Sequence, residues 1–359
     1  MQLSILKLHT PTKRGPKGSR YHTAPLRLAA RSKRFARFIA RHQKMKYPQP
    51  LASLATPAMP APRLAAWLHS LRPGTLLLSG VAIALGSALA AWRGAFDPAT
   101  ALLALLTATL LQILCNLAND YGDVRKGSDG PARVGPRRPL QTGAITLAQM
   151  RAALWLCGSL CVASGAALIA HAVRTPDAAL LFVLLGLLCI AAALGYTLGR
   201  HAYGYLGLGD VSVLVFFGWV GVAGSYALQT GRIDALVFWP ATACGLFAVA
   251  VLNINNLRDI ETDARAGKHT LAVRLGPRRA RGYHAALLAL APLCLAAWAA
   301  LTLRGWNGWL FVLALPWLAL QARRVLAHRT PEAMLPMLAP TVWAAVLTQM
   351  LFIAGLLLD

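Results

Sequence analysis

The chain has 359 residues, 57% of them hydrophobic and only 13% charged, with a mean hydropathy of +0.53. A soluble domain does not carry so large an apolar fraction, so the composition excludes one and indicates a polytopic helical membrane protein. The formal net charge of +24 follows membrane topology rather than one continuous basic face, so nucleic acid is not an expected partner.

In chain order, residues 1–50 contain 13 Lys and Arg and no acid, and the first acidic residue is Asp97. This stretch reads as a transit peptide, as an arm that binds anionic lipid, or as residues upstream of a later start at Met45 or Met59. It lacks the apolar core of a secretory signal. Pro48, Pro50, Pro57, Pro60 and Pro62 make the following stretch a linker. Residues 1–58 are therefore expected to be a disordered basic extension, and 59–359 one membrane-embedded domain. Hydropathy predicts nine spans, roughly 75–92, 98–118, 149–173, 178–197, 211–230, 235–256, 281–303, 306–326 and 334–357. The loops after the second, fourth, sixth and eighth spans hold 16 basic residues, against Arg93, Arg174, Arg232 and Arg304 on the other side. The positive-inside rule then places the N-terminus in the cytoplasm and the C-terminus outside.

Cys115, Cys157, Cys161, Cys189, Cys244 and Cys294 all fall in predicted spans without a CxxC pair, and read as small core residues. His171, His201, His284 and His328 lie near span ends, where a solvated or interfacial role is expected. Gly218, Gly221 and Gly224 permit close helix packing.

Half of the 12 carboxylates lie in or beside two short runs at span ends. These are Asn116-Leu-Ala-Asn-Asp120-Tyr-Gly-Asp123, with Asp129 downstream, and Asn255-Asn-Leu-Arg-Asp259-Ile-Glu-Thr-Asp263. Carboxylates crowded at membrane depth are costly unless something cationic neutralises them. If the second span stays helical through Asp123, then Asn116, Asp120 and Asp123 stand at i, i+4 and i+7 on one face. Asn255, Asp259 and Asp263, at i, i+4 and i+8, repeat the arrangement, and Glu261 falls off that face. In one reading the carboxylates are solvated or paired with Arg125, Lys126, Arg258 and Arg265. In the other, two facing helices hold Mg²⁺, which prefers oxygen ligands and completes its shell with water and substrate phosphates. Recurrence of the run on one membrane side favours the metal. Arg133, Arg137 and Arg138 follow the first run and Lys268 and Arg274 the second, which suits a diphosphate gripped between cations and metal. Positive-inside bias is the alternative for any single one of them. The Gly- and Pro-rich stretch from Gly127 to Gly143 reads as a lid or substrate clamp.

These residues resemble the two aspartate-rich regions of the UbiA superfamily of intramembrane prenyltransferases. Asn116 to Asp129, then Arg133-Val-Gly-Pro-Arg137 and Gln141-Thr-Gly143, is similar to the first region. Asn253 to Asp263, followed by Gly267-Lys-His-Thr-Leu-Ala-Val-Arg-Leu-Gly276, is similar to the second. With Gly195-Tyr-Thr-Leu-Gly-Arg200 and Tyr205-Leu-Gly-Leu-Gly-Asp210, the pattern is most similar to the branch that prenylates 1,4-dihydroxy-2-naphthoate. The resemblance covers residues 64–358, whereas 1–58 have no counterpart in it.

The resemblance implies an all-α bundle of about nine transmembrane spans around a lipid-accessible cavity, with a Mg²⁺-bound polyprenyl diphosphate at its cytoplasmic mouth. Carried over by motif, Asn116, Asp120 and Asp123 serve one metal ion and Asn255, Asp259 and Asp263 the other, and the four aspartates are catalytic. Asp129 takes a supporting place. Arg72, Lys126, Arg133, Arg137, Tyr196, Arg200, Asp210 and Lys268 are the implied substrate contacts. Arg200 stands where relatives have the Lys of Tyr-x-x-x-Lys, which keeps a cation but puts in doubt any role that requires a small ammonium. Arg72, in Leu71-Arg-Pro-Gly-Thr75, meets the diphosphate or the aromatic acid, or else snorkels to the interface. Asp210 positions the acceptor, or is a structural cap.

The implied chemistry is ionisation of the allylic diphosphate and attack by the naphthoate at its carboxylated carbon, with loss of CO₂ and diphosphate to give demethylmenaquinol in the menaquinone pathway. An enzyme acting on 4-hydroxybenzoate or another ring is the nearest alternative. A divalent-cation transporter is the alternative of a different class, and it requires carboxylates along a path across the spans. No obligate protein partner is expected.

Overall fold

The computed structural model describes residues 63–128 and 134–359. The expectations for residues 1–58, Asp129 and Arg133 lie outside the described residues. Among the described residues all regular structure is helical. A short amphipathic helix, α1 (Arg63–Leu71), leads into α2 (Pro73–Trp92), α3 (Pro98–Lys126), α4 (Leu147–Ala172) and α5 (Pro176–Gly195). A 3₁₀ turn, Tyr203–Leu206, precedes α6 (Gly209–Thr230), and α7 (Ala235–Arg258), the short α8 (Ile260–Arg265), α9 (Leu271–Thr302), α10 (Asn307–Ala327) and α11 (Glu332–Leu357) follow. Among the described residues nine helices, α2 to α7 and α9 to α11, are long and apolar enough to cross a membrane, as hydropathy predicts.

Local chemistry sets the helix ends. Proline opens α2, α3 and α5 in the first turn, where its missing N–H costs no hydrogen bond. The Asp97 side chain caps α3 through Thr100 N at 2.8 Å, and Thr146 with Gln149 forms a capping box on α4. Gly127, at φ 73°, ends α3 in the left-handed conformation that a side chain would resist.

Two boundaries differ from expectation. α3 runs on to Lys126 rather than stopping near 118, because the polar acidic run continues the helix beyond its apolar part. The chain before the seventh span is helical from Leu271, but Gly276 (φ 75°, ψ 163°) and Pro277 break it, leaving a short turn outside the apolar segment. At the α7–α8 break the register persists: Asp259 N bonds Asn255 O at 3.0 Å and Asp263 N bonds Asp259 O at 2.8 Å.

The main core joins α2, α6, α7, α9, α10 and α11 around the buried Phe247, Trp298, Phe311 and Phe352. Trp298 and Phe311 meet Phe352 edge-on, with centroids 5.5 and 5.9 Å away. A second cluster joins α1, α3, α4 and α5. Small residues let α6 approach α7: a Cβ on Gly245 would stand 2.7 Å from the Leu214 carbonyl oxygen. Gly218 and Gly221 are packed in the same way, but a Cβ on Gly224 would meet nothing within 4 Å. Leu214–Gly224 is wound as a π-helix, a rare form that often marks functional segments. His284, expected at an interface, is instead fully buried, because α9 begins earlier and draws it inside the bundle.

Candidate active site at the polar end of the bundle

The last turns of α3 put Asn116, Asp120 and Asp123 on one face, at 2, 1 and 4% exposure. Carboxylates this buried require counter-cations. Asp120 accepts from Arg72 Nη2 and Arg138 Nη1, each at 2.5 Å, and Arg138 also stands 3.3 Å from Asp123. Asn116 donates to Leu71 O at 2.9 Å and Thr75 Oγ1 at 3.0 Å, while its Oδ1 accepts from Gln112 at 3.0 Å. The amide therefore pins the α1–α2 break to the acidic face.

Arg72 occupies that break. Among the described residues it is the one non-glycine with positive φ, at 53°, a conformation that costs a side-chain-bearing residue about 1 kcal/mol. Thr75 N and Oγ1 both donate to Arg72 O at 2.9 Å, and the ion pair with Asp120 holds the other end. Strain of this kind persists where surrounding contacts over-determine it, commonly at functional sites. Arg138 lies in an irregular stretch just before the Pro139 turn. Arg138 turns inward onto Asp120 and Asp123, while Arg137, the expected contact, is exposed.

The second run has the same character. Asp263 is buried with Lys268 Nζ 3.7 Å away. Arg258 grips Asp259 with two bonds, of 2.8 and 2.6 Å. Asn255 lies half-buried one turn earlier.

Tyr205 joins the two runs. Its hydroxyl donates to Asp123 at 2.8 Å and meets Ser128 Oγ at 2.5 Å, and its ring lies under Lys126 Nζ (4.1 Å) and Lys268 Nζ (5.4 Å). Its carbonyl accepts from His269 N at 3.0 Å, and Arg274 donates to Leu206 O at 2.8 Å. Burial, then the adjacent Asp123 charge, pushes its phenol above the ordinary tyrosine range, so it remains a neutral donor. Both acidic runs thus stand at one end of the bundle, as the loop charges require. Tyr205 opens the Tyr205-Leu-Gly-Leu-Gly-Asp210 motif, but no spacing rule ties it to Asp123, 82 residues away.

Below these charges lies a cavity of about 330 Å³ walled by α2 to α7. Arg72, Asn116 and Asn255 form its polar end, and leucine, phenylalanine, alanine and glycine side chains line the rest. Tyr196 and Tyr203 stand on its wall with rings edge-on at 5.3 Å. Burial raises both phenols above their usual range. Asp210 is buried at the start of α6 with Oδ1 lacking a protein partner, and off the cavity wall. Arg200 and Lys126 are exposed, the first at a turn and the second above Tyr205.

Among the described residues no three His, Cys, Asp or Glu side chains gather closely enough to form a complete metal cage. Each run instead offers two carboxylates one turn apart and an amide oxygen. An all-oxygen, incomplete set fits Mg²⁺, which takes one or two carboxylates and completes its octahedron with water and substrate phosphate.

The whole spanning region has known relatives. The 1,4-dihydroxy-2-naphthoate octaprenyltransferase of Escherichia coli (strain K12) is 55% identical over 297 residues, spanning 83% of this chain and 96% of that one. The protein of the same name from Haemophilus influenzae is 48% identical over 298 residues, 82% of this chain and 97% of its own. Among solved structures, the apo form of a UbiA homolog from Aeropyrum pernix K1 superposes with a TM-score of 0.60 at 21% identity, covering 79% of this chain and 97% of that one. A UbiA homolog from Archaeoglobus fulgidus bound to DMAPP and Mg²⁺ superposes at 0.53 and 16% identity, over 80 and 98% of the two chains. Nine apolar helices among the described residues, in a chain with these relatives, make this an integral membrane protein. Residues 80–338 match the UbiA prenyltransferase family, and the chain belongs to that family.

Proposed function

We propose that this chain transfers a polyprenyl group from polyprenyl diphosphate to 1,4-dihydroxy-2-naphthoate, releasing CO₂ and diphosphate and giving demethylmenaquinol for menaquinone biosynthesis. The carrying observation is that both acidic runs and their cations meet at the polar end of one apolar cavity, in a chain 55% identical to a relative of that name. Asp120 and Asp123 with Asn116, and Asp259 and Asp263 with Asn255, would hold Mg²⁺, which when bound supplies Lewis-acid stabilisation of diphosphate charge.

The chain's own residues do the rest. Arg72, Arg138, Lys126 and Lys268, which neutralise or flank the carboxylates, surround the place where a diphosphate arrives. The allylic C–O bond breaks and its electron pair leaves on the diphosphate. The apolar walls keep out water that would quench the allylic cation, and the Tyr196 and Tyr203 rings offer it π-faces. The ring carbon bearing the carboxylate attacks. Its bond to the carboxylate then breaks, and that pair restores aromaticity as CO₂ leaves, so no base is needed at this carbon. Among the described residues the carboxylates stand near the helix ends, with none strung along a path across the spans, which tells against cation transport. The excess of loop Lys and Arg on the active-site side supports a cytoplasmic face in the inner membrane.

The test uses purified protein with Mg²⁺, a polyprenyl diphosphate and either dihydroxynaphthoate or 4-hydroxybenzoate, with product masses read out. Turnover with the naphthoate alone is expected, and Asp120→Asn and Asp259→Asn should each lower it by about 10²-fold or more. Full turnover in both variants removes the metal-site assignment, and product from 4-hydroxybenzoate alone moves the acceptor.

A further inference from the structure

Two glycines beside α6 owe their smallness to a single side chain. Neither Gly204 nor Gly209 has the positive φ that favours glycine, whereas Gly207 between them does, at 76°. Space, not backbone conformation, accounts for the first and third. A Cβ on Gly204 would stand 2.7 Å from the Tyr196 carbonyl oxygen and 2.8 Å from Cε1 of its ring. A Cβ on Gly209 would stand 2.8 Å from the Tyr196 hydroxyl oxygen and 3.4 Å from Cε2. For each glycine the three nearest atoms all belong to Tyr196. Gly218 and Gly245 differ, because backbone atoms of a neighbouring helix are what crowd them.

The two glycines therefore meet different parts of one ring, Gly204 its Cδ1–Cε1 edge and Gly209 its hydroxyl tip and opposite edge. Tyr203 closes a further side, edge-on at 5.3 Å. Its own hydroxyl donates to Ala192 O at 2.8 Å and meets Ser212 Oγ at 3.0 Å, so it cannot easily give way. The backbone beneath the ring is held as well. Gly204 N donates to Tyr196 O at 3.0 Å, and the buried Thr197 bonds Asn119. A Cβ on Gly122 would stand 2.6 Å from the Thr197 methyl. Asn119 and Gly122 belong to the stretch of α3 that carries Asp120 and Asp123, so the Tyr196 ring is fixed relative to the acidic face as well as to the cavity wall.

We propose that Gly204 and Gly209 are positioning residues for Tyr196, fixing its ring where the allylic cation forms. The proposal rests on the prenyl-transfer reading above and adds the residues that set the aromatic group in place. A group placed before charge develops needs no rearrangement as the charge appears. Displacing it should therefore be felt in kcat and not in the KM of the donor.

The experiment is a mutant cycle in the full-length protein, with kcat and donor KM measured on polyprenyl diphosphate and dihydroxynaphthoate in the presence of Mg²⁺. Gly209→Ala should lower kcat by about tenfold or more, with donor KM within about twofold of wild type, since a misplacement of about 1 Å costs up to about 10²-fold. The added methyl meets the hydroxyl, which Tyr196→Phe deletes. Gly209→Ala/Tyr196→Phe should therefore have a kcat within about twofold of Tyr196→Phe alone. Gly204→Ala meets the ring edge and the carbonyl, which phenylalanine retains, so its loss should persist in that background. Gly158→Ala, in α4 with nothing within 4 Å of its Cβ, is the control and should match wild type. A wild-type kcat in Gly209→Ala overturns the proposal, as does a fall confined to KM or one left undiminished by Tyr196→Phe. If Gly209→Ala yields no folded protein, the double variant decides: folded protein with the kcat of Tyr196→Phe supports the proposal, and its absence overturns it. If Tyr196→Phe has no turnover, the same cycle is read in melting temperature, where recovery in the double variant supports the proposal and an additive loss overturns it. Wild-type protein without turnover removes the prenyl-transfer reading and this proposal with it, whereas normal wild-type turnover with no suppression removes only the proposal.

Discussion

Replacing Tyr205 with phenylalanine isolates one hydrogen-bonding group. The ring stays under Lys126 and Lys268, while the bonds to Asp123 and Ser128 are lost. A hydrogen bond to a charged partner contributes about 1.5–3 kcal/mol, and the loss leaves a buried carboxylate short of one donor. If Asp123 must be held in register for metal and diphosphate, that energy appears in the rate: about 1.4 kcal/mol is a factor of ten, so kcat/KM should fall by roughly 10- to 100-fold. The loss should be accompanied by a higher Mg²⁺ requirement. Because the Tyr205 phenol is raised above its ordinary range, it is protonated throughout neutral pH, and the ratio of variant to wild type should be flat from about pH 6 to 9. The assay is initial rate against donor and Mg²⁺ concentration, with thermal melts in detergent as a folding control. A Tyr205→Phe protein with wild-type kcat/KM and Mg²⁺ dependence would refute the claim that this turn positions the site.

Three further outcomes follow. Arg138→Lys should lower kcat/KM by at least about tenfold, since an ammonium cannot span Asp120 and Asp123 as a guanidinium does, while Arg137→Lys, at an exposed position, should stay near wild type by the same rate assay. Arg72→Gly should melt as the more stable of the pair Arg72→Gly and Arg72→Ala, by about 1 kcal/mol, because only glycine adopts φ 53° freely; both should lose activity. Hydrogen bonds from the Thr100 hydroxyl and backbone N–H, and from His171, hold the Asp97 carboxyl below its ordinary range. A lowered folded-state value gives stability that is present above the ordinary carboxylate range and lost as pH falls through it, so melting curves of wild type and Asp97→Asn should differ at neutral pH and converge on acidification.

The spans and the helical faces of the acidic runs were legible because bilayer thickness and the 3.6-residue period act on neighbouring residues. Asp120 and Asp263 were found that way. Arg138 was visible as a nearby cation, but which of two adjacent arginines turned inward depended on how the loop packs against α3, which no local pattern sets. Tyr205 was not legible in its role, since its bonds cross to elements far away in the chain. His284 and Gly224 were misjudged for a related reason: both sit in helices, yet one is enclosed by a neighbour and the other faces a cavity. Only the packing of other helices distinguishes those surroundings.

The ion pairs around Asp120 carry a consequence for how the protein is made. Arg72 lies 48 residues before Asp120 and Arg138 lies 18 after it, so both counter-ions belong to the helical hairpin of α2 and α3 and its outgoing loop. Tyr205 reaches Asp123 only 82 residues later. A bare carboxylate at membrane depth burdens insertion by a few kcal/mol, but this hairpin contains its own neutralising charges as it emerges from the ribosome. The counter-charges of the acidic face are therefore all present in the chain before α4 begins, and the later turn clamps a face that is already paired.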